Sequence, residues 1–143
     1  MKTNQEMLGE IGERIRANWC SQNRSVIELS LDPFDSVKDL KVDGKIEEVK
    51  TQTRYVVNDC CSINPNQLKK CSNGFIWIEC PTDKSPYCGM WKIKKGFKYG
   101  QSTRKNGDVR YDVYANQEAM VLVTEFLPDS PQYKALKRYS TNY

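Results

Sequence analysis

Apolar residues recur three or four apart at Leu8, Ile11, Ile15 and Trp19, and Thr3-Asn4-Gln5-Glu6 before them has the form of a capping box. Together they predict an N-terminal helix. SVIELS, residues 25–30, predicts a short strand. SVKDLKV and KIEEVKTQT flank Asp43-Gly44 and predict a β-hairpin, because Asp-Gly readily adopts the positive φ angles of a two-residue turn. Asn64-Pro65 opens a short helix over PNQLKKC, which Asn73-Gly74 stops. GFIWIEC is apolar without alternation and of strand length, so it predicts a central strand. MWKIKK predicts another strand. Asn106-Gly107 marks a second hairpin within residues 98–114, with alternation through Val109, Tyr111 and Val113. Asn116 is expected to cap a helix through EAMVLVTEF, and Ser130-Pro131 to start a last short one.

The order is helix, strand, hairpin, helix, strand, then further strands and helices, with no linker, repeat or low-complexity stretch. At 143 residues this predicts one mixed α/β domain over 1–143.

The first hairpin carries an unusual row. With Asp43-Gly44 as the turn, Val42 pairs with Lys45, and alternate residues of each arm share a face. Glu48, Lys50 and Gln52 then share a face with Asp39, Val37 and Asp35, while Glu47, Val49 and Thr51 point the other way. Carboxylates gathered beside one lysine repel each other unless a cation neutralises them. A hard divalent ion with carboxylate oxygen ligands does so. Metal-assisted hydrolysis of a phosphodiester is chemistry that suits this set. A solvated hairpin face with a lateral ion pair is the alternative.

Composition narrows the chemistry. The chain has no histidine, which removes Ser-His-Asp and Cys-His catalysis. Its six cysteines show no Cys-x-x-Cys pair, so they are read as free, buried thiols and not as a zinc site. The opening MKTNQEMLGEIGERIR has charges throughout and no apolar core. It is read as structure and not as a secretory signal, which predicts a cytoplasmic, intracellular location (the host cell's, if the protein is viral). No run approaches the roughly 20 apolar residues of a membrane span.

DPFDSVKDLKVDGKIEEVKTQ resembles the metal-binding hairpin of the PD-(D/E)xK nuclease superfamily, especially its small phage and homing members. The resemblance covers roughly residues 5–95. It implies a restriction-endonuclease-like fold, a mixed central sheet flanked by helices, and a Mg²⁺- or Mn²⁺-dependent nuclease that hydrolyses DNA endonucleolytically. Asp35 and Glu48 would be metal ligands, with the Val49 carbonyl as a third; Lys50 would be the catalytic lysine, and Gln52 would help hold water or phosphate. Gln67 and Lys70 on the next helix would face nucleic acid. Strict hairpin pairing puts Asp39, not Asp35, opposite Glu48, so Asp39 stands as the alternate ligand. Glu10 and Glu13 resemble the extra first-helix carboxylate of some members, though they lie off the apolar stripe.

The net charge is +4, and the excess concentrates in WKIKKGFKYGQSTRKNGDVR and again near the C-terminus in KALKRY. Lys94, Lys95, Lys98, Arg104 and Lys105 are expected to track phosphates there, with Arg110 in the same segment. For Lys92 and Lys94 the rival role is guarding an edge strand. DNA is the expected partner, with RNA open; cutting both strands commonly goes with a symmetric dimer, so a homodimer is also open. The rival from another class is a catalytically inactive nucleic-acid-binding or assembly module with the same fold.

Overall fold

The structure is a computed structural model that describes residues 2–23, 27–29, 40–54, 60–65, 75–94, 100–115 and 118–140. It is mixed α/β. The first helix, α1 (Asn4–Gln22), starts where the sequence places it: Thr3 accepts from the Glu6 amide at 3.1 Å, which satisfies one of the helix's first N–H groups. The strands β1 (Ile27–Leu29), β2 (Leu40–Val42) and β3 (Lys45–Thr53) form an antiparallel set. Then come β4 (Cys60–Ile63), β5 (Phe75–Cys80), β6 (Gly89–Ile93), β7 (Gly100–Thr103), β8 (Val109–Tyr114) and β9 (Met120–Glu125). The last helix, α2 (Pro131–Ser140), is capped by Ser130, whose hydroxyl accepts from the Tyr133 amide at 3.2 Å. Proline suits its first position, where no helical N–H partner exists.

Two sheets result. The larger has the order β1-β2-β3-β5-β6-β9, and the smaller has the order β4-β8-β7. β5 is the fully buried central strand that GFIWIEC predicts, parallel to β3 and antiparallel to β6. Strand parity divides the core in two. Ile76 and Ile78 point with Met90 towards Leu8 of α1 and Tyr133 and Leu136 of α2. Phe75, Trp77 and Ile93 point the other way, onto Cys61, Ile63 and Val113 of the small sheet. The large sheet is therefore a middle layer, with helices on one face and a three-stranded sheet on the other. No helix of the described residues is long and apolar enough to cross a membrane.

Two sequence expectations are corrected here. The segment EAMVLVTEF is not a helix: residues 120–125 form β9 beside β6. Its consecutive β-branched and long apolar side chains suit a pleated edge better than a helix, and pairing with β6 supplies the ladder that an isolated stretch lacks. The register shifts by one residue between Met90 and Trp91, so β9 carries a bulge at Val123. Second, Lys92 does not guard an edge, because β6 is paired on both sides, by β5 and by β9. The helix expected over PNQLKKC lies outside the described residues beyond Pro65.

Candidate active site

The turn that sets the site forms as its residues dictate. Asp43 and Gly44 have φ of 52° and 78°, and Val42 pairs with Lys45, Lys41 with Ile46, and Leu40 with Glu47. This register fixes the two faces of β3. Glu48, Lys50 and Gln52 lie beside Phe75, Trp77 and Glu79 of β5, on the side that meets the small sheet. Glu47 and Thr51 face the helix layer. Glu47 is buried there and pairs with Arg16 of α1, which agrees with its exclusion from the polar row.

A cavity of about 440 Å³ runs along β3 from Glu48 to Thr53. Gln5, Leu8 and Gly9 of α1 border it, and Arg104 and Arg110 reach it from the β7–β8 hairpin. Lys50 is partly buried on its wall. Burial is the main force lowering its pKa below the ordinary 10.5, and the neighbouring charge of Arg110 acts in the same direction. Glu48 opposes both, while Arg104 adds to the depression. An ammonium held this way releases its proton more readily than a solvated lysine does.

Ser62 of β4 ties the far wall together. Its carbonyl accepts from Gln52 Nε2 at 2.9 Å, and its hydroxyl accepts from Arg110 Nε at 3.2 Å. Gln52 is thereby held at both ends, since Trp77 Nε1 donates to its backbone carbonyl at 3.1 Å. Just beyond, buried Glu79 accepts two bonds from Arg54, at 2.7 and 3.0 Å, and one from Trp91 at 3.0 Å. The Arg54 guanidinium lies 5.8 Å from the Trp77 ring centroid and 5.1 Å from that of exposed Tyr87. A carboxylate so fully bonded is structural.

The structure thus brings together Glu48, Val49, Lys50, Gln52 and Arg104 of the expected residues. Asp35, its alternate Asp39, Gln67, Lys70, Lys95 and Lys98 lie outside the described residues. Lys94 is exposed just past β6, and Lys105 is exposed in the β7–β8 turn; neither borders the cavity. Lys92 extends from the opposite, helix-side face, aligned with Ile76 and Val121. Glu10 pairs with Lys2, and neither Glu10 nor Glu13 borders the cavity. Cys20, Cys60, Cys61, Cys80 and Cys88 are buried, as expected, and Cys71 lies outside the described residues.

Ser62, Arg110 and the α1 residues Gln5 and Gly9 escape local pattern reading. Arg110 stood out only as one of many basic residues, and nothing in CCSI marks Ser62 as a bridge.

Among the described residues no three of His, Cys, Asp or Glu gather as a metal site. The donor chemistry nonetheless fits a hard divalent ion in part. Mg²⁺ takes one or two carboxylates and keeps several waters, and Glu48 with the adjacent Val49 carbonyl is one such half-set. Comparison with family models, curated proteins and solved structures finds no match to this chain.

Proposed function

We propose that the protein is a divalent-metal-dependent nuclease of the restriction-endonuclease-like type, hydrolysing phosphodiester bonds within DNA. The observation that carries this reading is the shared position of Glu48 and Lys50 on one cavity wall, with Lys50 partly desolvated beside it. The element order supports it too: a helix, a strand, a hairpin with Glu48-Val49-Lys50 on its second arm and, after the short strand β4 of the other sheet, a central strand parallel to that arm. Glu48, the Val49 carbonyl and Asp35 would hold Mg²⁺ or Mn²⁺. When bound, the ion would polarise a phosphoryl oxygen and acidify a water. Lys50 orients the attacking water and takes up or returns its proton at Nζ, a role its lowered pKa favours. Gln52, held by Ser62, lines the path of the phosphate.

The test is incubation with plasmid, linear, single-stranded and branched DNA in Mg²⁺ or Mn²⁺. Nicking or linearisation with metal, none in EDTA and a large loss in Lys50→Met is the expected result. Intact substrates throughout the panel with either metal would sink the reading.

A second reading is a silent nucleic-acid-binding module. It is favoured by the excess of cations, Lys50, Arg104 and Arg110 against Glu48, among the described residues on the cavity wall. Titration calorimetry separates the two: the nuclease gives heat with Mn²⁺, and the silent module gives none.

A further inference from the structure

The β7–β8 hairpin belongs to the small sheet, yet two of its arginines border the same cavity as β3. Arg104 begins the turn and Arg110 follows it, on opposite arms of the hairpin. Ser102 pairs with Arg110 and Thr103 with Val109, so the ladder itself brings the two arginines to one end of the hairpin. The Arg104 amide donates to the Asp108 carbonyl at 2.8 Å, and Gly107 has a φ of 89°, which keeps the turn closed.

Arg110 is anchored from β4. The Ser62 hydroxyl, on a residue that is 2% exposed, accepts from its Nε and fixes the guanidinium plane. That bond takes one of the five N–H donors of the side chain. Lys50 borders the same cavity as both arginines. Cations gathered at a cavity wall repel each other, and an anion in the cavity relieves that cost. The cavity, about 440 Å³, falls within the range of about 300–1,000 Å³ usual for small-molecule sites, so it exceeds the needs of a lone ion. Arginine forks are matched to phosphate oxygens.

We infer that Arg110, positioned by Ser62, and Arg104 form a phosphate subsite in the β3 cavity that grips the backbone of a nucleic acid beside Glu48 and Lys50. The inference rests on the nuclease reading for its choice of ligand, but it concerns binding and is tested without catalysis. The two arginines would act as substrate-binding groups, and Ser62 as a positioning residue that holds one of them.

The probe is a short fluorescein-labelled single-stranded deoxyoligonucleotide in EDTA, read by anisotropy, with an RNA of the same sequence in parallel. Arg110→Gln is expected to raise Kd about tenfold or more, as for loss of a charge-assisted bond, with Arg110→Lys recovering only part. Arg104→Gln, at an exposed position where the turn begins, is expected to weaken binding in the same direction. Lys92→Gln, on the opposite face of the sheet, should leave Kd within about twofold, as surface changes away from a contact usually do. Equal effects on DNA and RNA fit a phosphate subsite.

Wild-type affinity in both arginine variants overturns the proposal. So does an equal loss in Lys92→Gln, a loss confined to one of the two nucleic acids, or a wild-type protein that binds neither. Cleavage by the wild-type protein is scored separately. If it cuts nothing while Arg110→Gln loses binding, the nuclease reading falls and the subsite stands. If it cuts and both arginine variants bind as before, the subsite falls and the nuclease reading stands.

Discussion

Arg16 of α1 and Glu47 of β3 form a buried two-point ion pair, Nε to Oε1 at 2.6 Å and Nη2 to Oε2 at 3.1 Å. It ties the helix to the strand one residue before Glu48. Both groups are nearly dry, with side-chain exposures of 9% and 1%. Removing one partner strands a charge. Arg16→Met or Glu47→Leu alone should cost about 3–5 kcal/mol in urea denaturation, whereas the double variant should recover most of it. Double-variant stability no better than the worse single variant would show that the pair does not act as a unit.

The roles proposed for Lys50 and Arg110 are separable by kinetics. Lys50→Met keeps the stem and loses the charge, so cleavage should fall by about 10²–10⁴, the usual range for lost proton transfer. Its Kd for uncut DNA should change less than that of Arg110→Gln. The opposite ranking would make Lys50 a binding residue and leave the proton transfer without a carrier.

α1 packs tightly on β3 at Gly12. A methyl there would lie 1.8 Å from Thr51 Oγ1 and 2.9 Å from Thr51 Cβ, so rotation of the threonine does not clear it. Gly12→Ala should destabilise by about 1–3 kcal/mol and reduce cleavage, because the strand that moves also carries Lys50. Thr51 Oγ1 is buried with no hydrogen-bond partner. Thr51→Ala is therefore expected to cost little and to restore part of what Gly12→Ala loses. Thermal melts of the three variants check this.

Phosphate contacts release counterions, so DNA affinity should fall steeply with salt. Neutralising Arg104 and Lys105 together should flatten the log Kd against log salt slope by about two, one for each lost contact. Lys92→Gln should leave it alone. A slope unmoved by the turn variants would put the polyanion elsewhere on the surface.

The buried thiols predict alkaline behaviour. Burial raises Cys20, Cys61, Cys80 and Cys88 above the ordinary 9.0; for Cys88 it does so to about 12, with Glu79 and Glu125 adding to the effect. The folded protein keeps these protons where the unfolded chain releases them. Their stabilising contribution is therefore whole below pH 9 and drains away above it, by about 1.4 kcal/mol per pH unit for each thiol. Lys50, shifted down, works the other way and offsets one of them as pH rises towards 10.5. Urea midpoints from pH 8 to 11 should thus fall from about pH 9, and a thiol reagent at pH 8 should find at most Cys71 in the native chain. Rapid reaction of several thiols under native conditions would refute the burial.

Sequence patterning determined a good deal here. Period-two alternation around Asp43-Gly44 put Glu48, Lys50 and Gln52 on one face and Glu47 on the other, and the structure keeps that division. The apolar run 75–78 predicted the central strand, Thr3 the start of α1 and Pro131 that of α2. Such features are local: a turn's φ angles, a cap and the parity of a strand depend on residues a few positions apart. EAMVLVTEF shows the limit, since its stretch becomes β9 only because β6 offers a ladder. Only the tertiary structure decided what each face meets. α1 buries Gly12 and Arg16 between the apolar residues of its stripe because Thr51 and Glu47 lie opposite. Arg110 joins Lys50 because the small sheet folds over β3 and Ser62 holds both walls. Local spacing says which side chains travel together, but which surfaces come together depends on long-range packing.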